Sequence, residues 1–64
     1  YDLAHAAFEA FLAGKALQLS RSSMDSARTA RIHGSTHELV CMHVRHAREW
    51  HRDYMAHLAK ALQP

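Results

Sequence analysis

Proline and glycine are nearly missing from this chain of 64 residues: Pro64 is the last residue, and Gly14 and Gly34 are the only glycines. Valine and isoleucine are scarce as well, at Val40, Val44 and Ile32, while alanine, leucine, arginine and methionine recur. That balance excludes a β-rich fold and predicts an all-α chain. Cysteine is reduced to Cys41, so no internal disulfide is available, and a reducing, cytoplasmic setting is expected. No run approaches the roughly 18 consecutive apolar residues of a membrane span. The first residues also lack a basic stretch followed by an apolar one, so neither a membrane protein nor a signal-bearing precursor is expected. Opening on Tyr1 rather than Met, the chain reads as a fragment or processed product of a larger parent.

Histidine is what the sequence has in excess: seven, against a formal net charge of only +2. The charge therefore climbs steeply between about pH 7 and pH 5. Residues 1–64 make a single helical domain or fragment, close to the smallest size at which one core holds a fold, so help from a partner, a metal or a second copy is expected.

The chain divides at His33-Gly34-Ser35-Thr36-His37-Glu38. Gly34 reads as a helix stop using left-handed backbone, and Ser35 with Glu38 three residues later matches a capping box. One helix is predicted over about 2–33, capped by Asp2, then a turn at 34–35 and a second helix over about 36–62. Ser22 with Asp25 matches a further capping box, so a kink or a short third helix near residues 22–32 is an alternative to one continuous helix. Two long helices joined by a tight turn make an antiparallel hairpin, and pairing of two hairpins into a four-helix bundle would cover the faces that one hairpin leaves open.

Helical periodicity nominates the core and interface residues. On the first helix it gathers Tyr1, Ala4, Phe8, Phe11, Leu12, Ala16 and Leu19; on the second, Val40, Val44, Ala47, His51, Tyr54, Met55, Leu58 and Leu62, with Leu39, Trp50 and Ala61 on the shoulder. His51 within an apolar face would have to stay neutral and hydrogen-bonded, which predicts a dimer weakened by acid.

Three constellations bear on function. His43, His46, Asp53 and His57 share one flank of the second helix and offer ligands for Zn²⁺ or another transition metal; His37 and Cys41, four apart, offer two more. Arg21, Arg28 and Arg31 on the first helix and Arg45, Arg48 and Arg52 on the second form stripes suited to a nucleic-acid backbone. Asp25 and Glu49 sit at helical spacing from several of these arginines and are expected to pair with them. The serines Ser20, Ser22, Ser23 and Ser26 have no orienting acid and base, so no nucleophilic triad is readable.

The seven residues Arg45-His46-Ala47-Arg48-Glu49-Trp50-His51 resemble the motif of HEPN-domain ribonucleases: arginine, a polar residue, four spacers, histidine. That resemblance implies Arg45 and His51 as a catalytic pair supported by His46. Similar spacings recur from Arg28 to His33 and from Arg31 to His37. The leading expectation is a non-enzymatic helical module for dimerisation or adaptor contacts with a partner protein. Nucleic-acid binding and metal binding are the alternatives.

Overall fold

The Asp2 side chain caps a first helix by accepting hydrogen bonds from the backbone N–H of Ala4 (3.0 Å) and His5 (3.3 Å). In the computed structural model, which describes residues 2–63, this helix is α1, Leu3–Ile32, and it packs antiparallel against α2, His37–Ala61. Tyr1 lies outside the described residues.

The turn follows from one glycine. Gly34 adopts φ +74°, its N–H donates to the Arg31 carbonyl, and the Ser35 N–H donates to the Ala30 carbonyl at 2.9 Å. These two bonds satisfy carbonyls that the end of α1 leaves without partners. A Cβ at Gly34 would meet nothing within 4 Å, so substitution there acts on backbone conformation alone. Gly34→Ala is expected to destabilise the hairpin by roughly 1 kcal/mol, read as a fall in thermal midpoint of about 4–8 °C, with Gly34→Asn losing less. The cap of α2 is Thr36, whose hydroxyl accepts from the Leu39 N–H at 3.3 Å; the expected Ser35–Glu38 box is displaced by one residue. Ser35 is already committed to closing α1.

Helix α1 runs unbroken through the serine-rich segment, so the alternative of a break near Ser22 does not occur. Ser22 stays within the helix with an exposed side chain, and two residues before it the Ser20 hydroxyl ties α1 to α2 by donating to the Ala47 carbonyl at 2.8 Å. A hydroxyl one carbon from its own backbone reaches the facing backbone only where two helices come very close. Ser20→Ala should cost about 1 kcal/mol. A larger side chain such as Ser20→Leu should cost more by forcing the helices apart, and chemical denaturation of the two variants compares them.

What permits the approach is a run of small side chains. Ala6, Glu9, Ala13, Ala16, Ser20, Ser23, Ala27 and Ala30 alternate spacings of three and four along α1, and the described residues include no exposed one among them. The facing row on α2 is Val40, His43, Ala47, Trp50, Tyr54, His57 and Ala61, all buried or half-buried except Trp50, which is 38% exposed at the edge of the seam. Such a spacing averages 3.5 residues, the repeat of helices that wind around each other. Among the described residues the buried apolar side chains are all alanines, Ala13, Ala16, Ala27, Ala47 and Ala61, with Ala47 only 2% exposed.

The nominated core is therefore corrected in part. Val40 and Tyr54 stand in the facing row and Leu12, Val44 and Leu58 flank it, and all five are half-buried. Phe8, Phe11, Leu19, Trp50, His51 and Met55 are exposed. Two helices form one layer, here 49 × 12 × 9 Å across its Cα atoms, and one layer has nothing to close over a side chain the size of phenylalanine. His51, outside the seam with its ring 5.7 Å from that of Tyr54, is not the buried histidine from which acid sensitivity was expected.

Candidate functional site: an aromatic face outside an alanine seam

The 100° helical step and the antiparallel pairing of Ser20 with Ala47 and Glu9 with His57 fix what stands on each side of the layer. One side carries Phe8, Leu12 and Leu19 of α1, with Phe11 on the adjoining outer edge, and in register Trp50 of α2 falls between Leu12 and Leu19. Phe8 and Phe11 are 58% and 60% exposed, and Leu19 and Trp50 are 42% and 38% exposed. The patch extends over about 16 Å of α1, from Phe8 to Leu19. Lys15, four residues from both Phe11 and Leu19, stands between them, with its Nζ 5.8 Å from the centre of the Phe11 ring, so its apolar stem continues the patch while its charge marks the middle of it. Aromatic residues of this kind, exposed and adjacent, are the usual anchors of protein interfaces.

Glu9 is the single buried charged residue among those described. It lies in the seam, where His57 Nδ1 is 2.6 Å from its Oε2. The hydrogen bond from His57 holds the Glu9 carboxyl below its ordinary range; burial opposes the shift, and the positive potential of His57, Lys60 and His5 adds to it. An ionised carboxylate has no proton to give, so His57 donates from Nδ1. A depressed carboxyl stabilises the fold above its unfolded value, near 4.3, and that contribution is lost as pH falls through the folded value. Wild type should thus exceed Glu9→Gln in thermal midpoint at about pH 6, and the gap should close on acidification below about pH 4. A gap that stays constant across this range would show that Glu9 contributes shape and not charge.

The metal-binding expectation is corrected here. His57 is engaged by Glu9, His43 is half-buried in the seam, and His46 and Asp53 are exposed. A shared flank is not a shared point: from His43 to His57 the helix rises about 21 Å, far beyond the reach of one ion. Among the described residues no three His, Cys, Asp or Glu side chains gather to hold a metal. His37 Nε2 and Cys41 Sγ do meet, 3.3 Å apart on the exposed start of α2, but they supply only two donors.

The arginines are corrected in their pairing. Asp25 reaches Arg28 at 3.7 Å, with both side chains 75% exposed. Among the described residues no other arginine has an ion pair, and the expected partnerships of Glu49 with Arg45 and Arg52 do not form. Arg45 and His51, the pair implied by the HEPN resemblance, stand about 120° apart around α2.

Periodicity placed Ala16 and Ala47 on the inward faces but overlooked the rest of the seam: Ala13, Ser20, Ala27 and the hydrogen-bonded pair of Glu9 with His57. Their alternating three-and-four spacing was the available signal, masked because alanine and serine carry little weight beside phenylalanine and leucine. No helix among the described residues is long and apolar enough to cross a membrane. Compared with protein-family models, curated proteins and solved structures, the chain matches none.

Proposed function

We propose that the chain is a non-enzymatic helical association module whose aromatic face docks on a second copy of itself, giving a four-helix bundle. The observation that carries this reading is the exposure of Phe8, Phe11 and Leu19 outside a seam lined largely by alanine, with Trp50 half-open at its edge. More than half of each phenylalanine stays open in the hairpin, and Leu19 and Trp50 are only partly covered, so their full burial awaits another surface.

Area supports the same reading. The chain exposes 4939 Å². A compact monomer of 7.3 kDa would expose about 4200 Å². The excess of roughly 700 Å² approaches the ~800 Å² that each partner contributes to a standard interface. The patch is also suited to a twofold contact, because Phe8 and Phe11 at one end and Leu19 and Trp50 at the other are both apolar. Antiparallel overlap sets each end of one copy on the opposite end of its partner, so that one patch serves both subunits.

Sedimentation equilibrium over a wide concentration range tests the proposal. Expected is a monomer–dimer equilibrium, with a thermal midpoint that rises with protein concentration. A chain that stays monomeric up to about 100 µM would reject self-association as the function of this face.

A further inference from the structure

The other side of the layer has a different chemistry. Two grooves follow the seam there: one lined by Ser20, Met24, Ala47, Arg48, His51 and Arg52, the other, nearer the turn, by Arg31, Ser35, His37 and Val40. No carboxylate lines either groove. The helical step places Arg21 and Arg28 on the flank of α1 next to them. Arg31, Arg48 and Arg52 have no ion-pair partner among the described residues, so their charge is available.

We infer that this trough binds the phosphodiester backbone of a nucleic acid. The cations are sorted by type as well as by place: all six arginines occupy residues 21–52, while the two lysines, Lys15 and Lys60, fall outside that segment. A guanidinium presents a planar fork that matches two phosphate oxygens, as it also matches a carboxylate, whereas a diffusely anionic membrane surface gains little from it over lysine. In the hairpin register, Arg52 to Arg31 spans about 24 Å. Successive nucleotides of a duplex strand rise about 3.4 Å, so the row runs alongside roughly seven of them. Met24 and Ala47 form an apolar floor between the arginines, against which a sugar or base edge can rest. The inference does not depend on the aromatic face, which lies on the opposite side and would leave the trough open in a dimer.

Fluorescence anisotropy with a labelled oligodeoxythymidine of about 20 nucleotides, and with a duplex of similar length, tests the assignment on the full chain. About four arginine–phosphate contacts predict an affinity that falls roughly 100-fold between about 50 and 200 mM salt. Arg48→Gln/Arg52→Gln should weaken binding at least about tenfold and lower the salt slope by about two, while Lys60→Gln, away from the trough, should change affinity less than about threefold. Arg48→Lys/Arg52→Lys should keep the slope and bind less tightly, since charge is kept and the fork is lost. Circular dichroism on each variant separates lost binding from lost helix. Three outcomes would overturn the inference: no binding of either oligonucleotide in low salt, weakening by Lys60→Gln as large as by Arg48→Gln, or preferential binding to polyglutamate or phosphatidylserine vesicles.

Discussion

Replacing Ala47 by leucine is expected to open the hairpin. Ala47 is 2% exposed, and its carbonyl receives the Ser20 hydroxyl at 2.8 Å, so three added carbons have no space between the helices. The variant must separate α1 from α2 or tilt them, and either movement breaks the Ser20 hydrogen bond and loosens Ala13, Ala16 and Ala27 along the same line. Overpacking of a close contact costs about 1–3 kcal/mol, to which the lost hydrogen bond adds about 1 kcal/mol. A chain of this size has only about 3–5 kcal/mol of net stability to lose, so Ala47→Leu should remove most of it and begin to unfold near room temperature. Ala16→Leu should behave similarly. Ala59→Leu, exposed on the outer side of α2, is the control and should stay within about 0.5 kcal/mol of wild type. A hairpin closed by large apolar side chains would give the reverse order, with leucine tolerated at position 47 as added core. Denaturant melts of the three variants, read by helicity, distinguish the two arrangements.

Removing the aromatic side chains should leave the hairpin closed and abolish its association. Phe8 and Phe11 lie outside the seam, so Phe8→Ser/Phe11→Ser deletes little of what holds α1 against α2. In a twofold dimer each substitution counts twice. At about 2 kcal/mol for each phenylalanine newly covered, four lost rings remove on the order of 8 kcal/mol of association energy, enough to turn a micromolar dimer into a monomer at any practical concentration. The signature is specific: the thermal midpoint of the variant should no longer depend on protein concentration, while its far-ultraviolet helicity at low temperature stays close to that of wild type. A double variant that still sediments as a dimer would place the interface elsewhere.

Those two predictions separate what was legible in the sequence from what was not. The turn was legible because independent signals coincided there: a glycine whose left-handed conformation ends α1, hydroxyl residues positioned to cap α2, and apolar periodicity resuming after it. The cap shifted from Ser35 to Thr36 because two adjacent hydroxyls compete and the Ser35 N–H is spent on the Ala30 carbonyl. Asp2 could be read as a cap because no other hydrogen-bonding side chain precedes the first apolar turn.

The core was misread for a physical reason. Periodicity weighted by hydrophobicity finds the faces with the largest side chains, and in a thick domain those faces point inward. Here the contact is set by how closely two backbones approach, so the smallest side chains are inside, Phe8 and Phe11 are displaced outward and Trp50 stays half-open at the edge of the seam. The metal stripe failed differently, because the angle around a helix was matched while the rise along it was not. Ion pairing of the arginines was overestimated because helical spacing brings side chains near one another in exposed positions, where little holds them together. Fold class and connectivity were therefore readable; the identity of the inward face required the register that Ser20 and Ala47 set.

Trp50 offers the most direct test of the central claim, that the aromatic face is built to be covered. It is the chain's one tryptophan and sits on that face, partly open to solvent in the single hairpin. Emission and iodide quenching of Trp50 should be followed on dilution alongside sedimentation of the same samples. The account predicts that emission shifts to longer wavelength and quenching rises with the same midpoint at which the dimer dissociates. A dimer that dissociates while the emission and quenching of Trp50 stay constant, or a monomer throughout, would contradict it.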